Sequence, residues 1–390
     1  MRRLGVSERR ARLVRRHLLT PARRATDALE VARSLTALHS TDPVTVFVSL
    51  QARTDGVLPD DIERTLYDER TLVRVLCMRR TLFVVPRELV PAVFAACTDT
   101  IAARERRRLE QMVVDSGIST RPGAWLRRAE AAALAALDAR GEAYTRELVS
   151  DVPQLARKLR VGAGTRFETT QSAGARVLPQ LAMERRIVRG RPRAWKSGQY
   201  RWVPVERWLE DGIPALDADV ARGQLLQAWL AAFGPATETD LRWWTGWTAR
   251  DARAALASLP LATVDLDGTT GFLPADDLEP VEAPEPWAAL LPTLDPTTMG
   301  WKERDWYLGP HGRMLFDSAG NAGPTVWWDG RVVGGWAQRA DGEIVHRLLE
   351  DVGSEAERAI GAEAERLQAW VGDVRFKPGF LPPFQRELSR

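Results

Sequence analysis

The sequence predicts an α+β protein in which helix–hairpin units follow one another and a small antiparallel β-structure forms the C-terminal part. Three successive stretches begin with amphipathic helices and end in two β-branched or aromatic runs joined by a turn. After a proline-rich stretch from Pro274 to Pro296, the periodicity changes to that of strands. Helices followed by a hairpin are the order of a winged helix, a form of helix-turn-helix. We therefore predict tandem winged-helix units over residues 1–120, 121–215 and 216–285, followed by a small antiparallel β-barrel and a C-terminal helix over 286–390.

The first unit contains the stretch around which its helices are predicted to turn, Leu38-His39-Ser40-Thr41-Asp42-Pro43. Asp27 and Glu30 have the spacing of a capping box, so a helix is predicted to begin there and to run into this stretch. Pro43 disfavours a helical conformation at the preceding residue, which ends that helix. Asp42 is a suitable N-cap for the next helix, with proline at its first position. Four polar side chains are therefore expected to share a tight corner between two helices.

A hairpin completes the first unit. Its strands are predicted at residues 72–76 and 81–86, where β-branched and aromatic residues predominate. Met78-Arg79-Arg80 joins them, so both arginines are expected at the hairpin tip, where they could contact phosphates.

The second unit repeats this order more loosely. Helices are predicted over residues 125–140, from Thr145 onward, and over 172–185. Two strands at residues 186–189 and 199–203 follow, joined by a loop that combines arginines with Trp195.

The third unit has the clearest local signals. Thr237 and Thr248 are suitable N-caps, and Gly246 is suited to end the helix between them. Asp267-Gly268-Thr269-Thr270 is a good hairpin loop between two strands. Beyond the prolines, strands are predicted at residues 314–316, 325–328 and 331–336, with a helix over 354–371.

Composition excludes several classes of protein. The hydrophobic fraction of 45% and the charged fraction of 27% are typical of a globular protein. No apolar run approaches the roughly 18 residues of a membrane span, and the first residues lack the apolar core of a secretory signal. The two cysteines and four histidines show no metal-ligand spacing, and His17 is expected on a helix surface. Gly162-Ala163-Gly164 lacks the flanking strand and lysine of a phosphate loop. We predict a cytoplasmic, nucleoid-associated protein without a metal or cofactor.

The arrangement of charge favours a polyanionic partner. Net charge is only +3, but nine arginines lie within the first 24 residues, and a second basic run extends from Arg185 to Arg201. Such clusters indicate double-stranded DNA, although they could instead be solvated faces in an arginine-rich protein. Trp195 is expected to reach solvent and to stack on a base or sugar. The predicted DNA contacts are Arg79, Arg80, Arg186, Arg189, Arg191, Arg193, Trp195 and Lys196.

The corner in the first unit has two interpretations. His39 could be a core histidine, and Asp42 could serve only as an N-cap. Alternatively, the carboxylate of Asp42 could stabilise an oxocarbenium-like sugar while His39 accepts a proton from water and Thr41 orients one of them. On that interpretation the three form a catalytic group for base excision.

The same corner resembles the signature of the AlkZ-type winged-helix DNA glycosylases. In that family Gln-x-Gln or Gln-x-Asp follows the leucine and precedes Asp-Pro; here Leu38 and Asp42-Pro43 match, while His39 and Thr41 replace the two catalytic positions. The family's Arg-Gly-Thr-Leu-His stretch is matched at Arg79 and Thr81. The resemblance extends to Gly323-Pro324-Thr325-Val326 and Gly334-Gly335-Trp336 near the C-terminus. It implies winged helices followed by a small β-barrel, and excision of bulky alkylated bases with unhooking of interstrand crosslinks.

Two function classes are compatible with these observations. One is a DNA glycosylase that hydrolyses the N-glycosidic bond of a bulky or alkylated base. The other is a non-catalytic winged-helix protein that binds DNA as a regulator or damage-recognition factor. No heptad seam is present for a dimer, and several DNA-binding units occur in one chain, so we expect a monomer. The altered Gln-x-Gln positions favour the binder, whereas the long DNA-facing surface favours the glycosylase.

Overall fold

The computed structural model describes residues 1–377, 379 and 382–390. It has a mixed α/β architecture with five short sheets in the described part of the chain. Three units within it follow a similar order of elements: a helix, a short strand or single bridge, two or three further helices, and a β-hairpin. None of the helices in the described ranges is both long and apolar enough to cross a membrane.

The first unit follows an N-terminal strand and helix, β1 (Arg2–Arg3) and α1 (Val6–Arg16). Its elements are α2 (Ala28–Ser34), β2 (Leu38–His39), α3 (Pro43–Gln51), α4 (Pro59–Glu63), β3 (Leu72–Cys77) and β4 (Thr81–Pro86). The strands form an antiparallel sheet in the order β2-β4-β3. Two further helices, α5 (Val90–Val93) and α6 (Asp99–Asp115), are joined by a π-helical turn and lead to the second unit.

The polar corner of this unit joins a strand to a helix, so the prediction of a helix-to-helix corner is wrong. Helix α2 ends at Ser34, and Thr36 has a φ of +63°, a left-handed conformation that cannot continue the helix. Leu38 and His39 then pair with β4 as a short strand. The second half of the prediction is confirmed, because Asp42 is the N-cap of α3 and accepts the backbone N–H of Val44 at 3.0 Å.

The second unit contains an insertion that the sequence did not reveal. Its elements are α7 (Pro122–Arg140), β5 (Ala143–Tyr144), α8 (Thr145–Asp151), α9 (Pro153–Ala156), β6 (Lys158–Val161), β7 (Thr169–Ser172), α10 (Gly174–Met183), β8 (Ile187–Pro192), β9 (Tyr200–Pro204) and α11 (Val205–Trp208). Strands β5, β9 and β8 form the unit's sheet in that order. Strands β6 and β7 form a separate hairpin before α10, so Gly162 and Gly164 do have flanking strands. The prediction of no strand there is wrong.

The third unit confirms the predicted caps. It consists of α12 (Ala218–Phe233), α13 (Glu238–Thr245), α14 (Ala249–Ala257), β10 (Leu261–Leu266) and β11 (Thr269–Pro274). Thr237 and Thr248 accept backbone N–H groups at the starts of α13 and α14, and Gly246 ends α13 in a left-handed conformation. Strand β1 adds to the hairpin through a two-residue parallel pairing with β10.

The C-terminal region is an open sheet, and the predicted closed β-barrel is wrong. Its elements are β12 (Ala288–Leu291), α15 (Asp305–Leu308), α16 (Gly312–Leu315), β13 (Thr325–Trp328), β14 (Arg331–Gln338), β15 (Ile344–Leu348), α17 (Gly353–Val371) and α18 (Pro383–Leu388). Four strands are too few to curl until the edges meet, and among the described residues β12 and β15 remain the edges. Helix α17 packs on this sheet and buries its apolar face. The predicted strand at 314–316 is mostly helical, within α16.

The cores show which regions are held together. The largest cluster of buried apolar residues joins the first unit, the third unit and part of the C-terminal region, whereas the second unit has a core largely of its own. A fully buried polar network, which we call the hub, links the first unit to the C-terminal region. It consists of His17, Arg53, Asp295 and Thr297.

Each polar group of the hub is matched. Arg53 forms a two-point ion pair with Asp295 at 2.7 and 2.9 Å and donates to Thr297 and to two backbone carbonyls. His17 is fully buried, with Nδ1 2.7 Å from Thr297 Oγ1 and Nε2 3.1 Å from the carbonyl of Ala232. The prediction that His17 lies on the surface is therefore wrong, because its helix packs between the third unit and the C-terminal region.

Candidate active site

The corner borders a pocket between the first and second units. Thr41 is the exposed residue of the corner, whereas His39, Ser40 and Asp42 are buried. Strand β2 fixes His39 and the start of α3 fixes Asp42, so Thr41 is the residue between a strand end and a helix cap. Of the three residues predicted to be catalytic, Thr41 alone lines a pocket.

His39 is held as a neutral imidazole. Its ring packs edge-on against Phe83, with centroids 5.1 Å apart, and Nδ1 accepts the backbone N–H of Thr41 at 3.4 Å. An accepting Nδ1 assigns the ring proton to Nε2. Burial, aided by the nearby Arg79 charge, lowers the pKa of His39 to about 3. His39 therefore carries a ring N–H that can donate at neutral pH, and its lowered pKa disfavours the expected role of a base that titrates near pH 7.

Asp42 is bound through both carboxylate oxygens. Oδ1 accepts the N–H of Val44 at 3.0 Å, and Oδ2 accepts the N–H of Gly379 in the C-terminal segment at 2.9 Å. Burial raises the pKa of Asp42, and these two hydrogen bonds oppose that rise. The carboxylate thus joins α3 to the chain end, and each oxygen keeps a second lone pair for another donor.

Ser40 connects the corner to a second buried arginine. Its Oγ accepts from Nε of Arg74 at 2.7 Å, while Nη1 of Arg74 donates to the Tyr67 hydroxyl at 3.1 Å. The Arg74 guanidinium also lies over the ring of Tyr200 on β9, 4.4 Å from the ring centroid. Ser40 therefore couples the corner to the sheet of the second unit.

Two pockets meet beside the corner, and we call them together the cleft. The smaller, of about 290 Å³, lies between the corner and helices α6 and α10; it is lined by Thr41, Arg80, Glu105, Arg108 and Arg176, among others. The larger, of about 610 Å³, is walled by Tyr144, Tyr200 and Trp202 of the second unit. Leu82 and Arg189 line both pockets, so the pocket beside the corner adjoins the aromatic one.

Arg189 is a buried cation at the junction of the two pockets. It is 9% exposed, its guanidinium lies 4.6 Å from the ring centroid of Trp202, and its side chain has no hydrogen bond or ion pair among the described residues. Burial, together with the nearby Arg74 charge, lowers the pKa of Arg189 to about 10. A desolvated guanidinium without an anionic partner is suited to bind a phosphate or a base edge that enters the cleft.

The two arginines of the first hairpin have separate surroundings. Arg79 lies over Trp243 of the third unit, 4.1 Å from the ring centroid, and burial lowers the pKa of Arg79 to about 10. It packs between two units, so the expectation of an exposed hairpin tip is wrong for this residue. Arg80 is exposed and pairs with Glu105 on the wall of the smaller pocket at 3.0 Å.

The basic run of the second unit is only partly free. Arg191 is paired with Glu63 and Asp68 at 3.1 and 2.8 Å. Lys196 donates to the backbone carbonyl of Arg375 at 2.6 Å. The side chains of Arg186 and Arg193 are exposed, and neither has an ion pair or hydrogen bond among the described residues.

Trp195 is part of an aromatic contact between units. It is partly buried and packs against Phe47, Trp370 and Phe376, with ring centroids 4.8 to 6.3 Å apart. It reaches solvent only in part, since α3 and the end of α17 cover much of the ring. The aromatic groups that do line the cleft, Tyr144, Tyr200 and Trp202, were not singled out from the sequence. Tyr200 and Trp202 alternate with Arg201 along one strand, which is the signal that could have indicated them.

Among the described residues, no group of three histidine, cysteine, aspartate or glutamate side chains comes together. The two cysteines are buried and free.

Comparison with known proteins gives one family and one solved fold. The family model described as DNA glycosylase AlkZ-like matches residues 32–370. The structure of the Streptomyces sahachiroi DNA glycosylase AlkZ is similar with a TM-score of 0.73 over 94% of this chain and 97% of that one, at 22% sequence identity. No curated protein sequence matches the chain.

Proposed function

Since the chain belongs to the AlkZ-like DNA glycosylase family, we propose that it hydrolyses the N-glycosidic bond of bulky or alkylated bases in damaged double-stranded DNA. The observation that carries this proposal is the corner itself. It presents Thr41 to a cleft lined by arginines, beside a buried carboxylate and a neutral imidazole. The proposal includes a monomer that acts on DNA in the cytoplasm.

The three repeated units support a winged-helix arrangement for DNA binding. In each unit a helix is followed by a short strand or bridge, two or three further helices and a hairpin, and the early strand or bridge pairs with the second strand of that hairpin. The residue ranges 1–120, 121–215 and 216–285 each contain one such unit. We assign the hairpins as wings and the helix before each hairpin as the element nearest DNA.

The chemistry requires stabilisation of a sugar cation more than protonation of the leaving group. An N7-alkylated purine carries a positive charge, so breaking the bond between C1′ and the base nitrogen releases a neutral base. Positive charge then develops on C1′ and the ring oxygen of the sugar. Water attacks C1′, a proton leaves that water, and the products are a free base and an abasic site.

We assign Asp42 to the developing sugar charge and Thr41 to the attacking water. Asp42 keeps a lone pair on each oxygen, and its burial beside the cleft would strengthen its interaction with a cation that approaches it. Thr41 is exposed to the pocket and can accept a hydrogen bond from water. His39, neutral and bonded to the Thr41 backbone, holds that backbone and can donate from Nε2. Deprotonation of the water then falls to Asp42 or to solvent.

The larger pocket supports a bulky substrate. Its 610 Å³ and three aromatic walls exceed what a methyl adduct requires, and it adjoins the corner through Arg189. An extended planar group attached to the base could stack there. Crosslink unhooking would be the same reaction on a base tethered to the opposite strand.

A second candidate is a non-catalytic DNA-damage binder. Backbone N–H groups bind both carboxylate oxygens of Asp42, which favours this non-catalytic candidate. The two candidates are separated by measuring base release from duplexes carrying N7-methylguanine or a bulky N7 adduct, with strand scission at abasic sites as the readout. Release above the spontaneous rate supports the glycosylase. Binding without release from any of these substrates supports the binder.

A further inference from the structure

The hairpin formed by β6 and β7 ends in an exposed aromatic residue. Phe167 is 72% exposed, and it is the only aromatic side chain among the large exposed hydrophobic residues of the described chain. The guanidinium of Arg166 lies over its ring, 4.6 Å from the centroid. This ring takes no part in the cores of the protein, and its position at a hairpin tip leaves it free to contact a partner.

The tip is rigidly built. Gly162 and Gly164 have φ of +70° and +75°, a left-handed conformation that allows the sharp turn. Glu168 accepts the N–H of Gly164 and forms an ion pair with Arg160, both at 2.8 Å. The ion pair and this backbone hydrogen bond lower the pKa of Glu168 to about 2, so the clasp persists over the neutral range. Phe167 is therefore presented on a fixed turn.

The hairpin rises from the rim of the cleft. Ser172, the last residue of β7, lines the larger pocket, and α10, which begins two residues later, lines the smaller pocket through Arg176. The hairpin is anchored on the end of α6 because the Arg160 N–H donates to Ser116 Oγ at 2.8 Å. At roughly 3.3 Å per residue, a four-residue strand places the tip about 13 Å from Ser172, a distance greater than the depth of either DNA groove.

The charge of the hairpin fits DNA. Residues 157–168 contain four basic side chains and one acidic side chain, a net charge of +3. The acidic residue, Glu168, is already paired within the hairpin. Basic flanks around an apolar tip are the pattern by which proteins insert a wedge between base pairs while their arginines bind phosphates.

We propose that Phe167 is a wedge that inserts into the base stack beside the damaged nucleotide, with Arg166 bound to an adjacent phosphate. The occupant of this surface is duplex DNA at an unstacked step. The wedge fills the space left when the damaged base moves toward the cleft. This role rests on the proposed function, but the binding experiment that tests the wedge does not require base release.

The test compares the affinity of the full-length protein for two duplexes by fluorescence anisotropy. One duplex is intact, and the other carries a tetrahydrofuran abasic-site analogue that leaves an open step and has no base to release. We expect the wild type and Phe167→Trp to bind the abasic-analogue duplex more tightly than the intact one. In Phe167→Ala the ratio of the two affinities should fall by about tenfold. Val220→Ala, which removes an exposed apolar side chain from α12, is the matched control and should behave as wild type.

Three results would overturn the wedge. The first is that the wild type binds both duplexes with equal affinity. The second is that Phe167→Ala prefers the abasic-analogue duplex as strongly as the wild type does. The third is an equal loss of affinity for both duplexes, which indicates a general contact. A change in sedimentation coefficient caused by Phe167→Ala, with DNA preference retained, would assign the surface to a second copy of the chain. Base release is measured separately. A wild type that releases no base but still prefers the abasic-analogue duplex would refute the glycosylase activity without refuting the wedge.

Discussion

The hub and the cleft both contain buried arginine and histidine, but they differ in how these groups are paired. In the hub, Arg53 and His17 have a partner for each nitrogen that points into the protein. In the cleft, Arg189 has an aromatic ring as its contact and no anion among the described residues. The comparison teaches that burial alone does not distinguish structure from function. A buried charge with its counter-charge holds domains together, whereas one without it is available to a ligand.

The largest expected effect is the loss of stability when the hub is broken. Arg53→Met leaves the Asp295 carboxylate buried and unpaired, so we expect the free energy of unfolding to fall by about 3–5 kcal/mol. Urea denaturation followed by tryptophan fluorescence measures this. A loss below about 1 kcal/mol would mean that solvent reaches the pair and that the hub is not what we describe.

The matched change in the cleft is Arg189→Met, which should leave stability within about 1 kcal/mol of wild type or raise it, because the fold already disfavours the charge. Base release and affinity for damaged duplex should each fall by about tenfold, which is the effect of losing one charge-assisted contact. Destabilisation as large as that of Arg53→Met, with normal base release, would place Arg189 in the same structural class as Arg53.

The two histidines sharpen the comparison through pH. The folded pKa of His39, about 3, lies below the unfolded value of 6.5. The unfolded chain therefore binds the extra proton, and stability should be lost as the pH falls from about 6.5 toward 3. In His39→Gln the slope of unfolding free energy against pH in this window should decrease by about 1.4 kcal/mol per pH unit, or one proton.

Because the pKa of His39 is lowered, the rate of base release should show no pH dependence near 6.5 that is caused by ionisation of His39. A rate profile with such an ionisation, abolished in His39→Gln, would show that His39 titrates as an ordinary base and would restore the general-base role.

The smallest expected effect separates free from paired arginines at the surface. Arg193→Ala should lower the slope of log affinity against log salt by about one unit, since its side chain is exposed and free to bind a phosphate. Arg191→Ala should change it less, because Glu63 and Asp68 already neutralise that residue. Equal slopes for wild type and Arg193→Ala would remove this loop from the DNA interface.

What the sequence could predict was local. The Asp42-Pro43 helix start and the caps at Thr237 and Thr248 depend on residues within four positions of one another, and the structure has them as predicted. The burial of His17 and the partial covering of Trp195 depend on segments more than 140 residues away, which no local pattern reveals. The β6–β7 hairpin was missed because its strands are only four residues long and mostly polar.

The central claim is that the Asp42 carboxylate acts on the sugar and does more than cap a helix. Its most direct test is single-turnover base release from an N7-alkylguanine duplex by wild type and Asp42→Asn, with Asp217→Asn as control. Asp217 is also an N-cap aspartate, on α12, and asparagine caps about as well as aspartate. We expect Asp42→Asn to lose most of the activity while it stays folded and binds DNA, and Asp217→Asn to match wild type. Equal rates for all three proteins would contradict the claim and leave Asp42 as a cap alone.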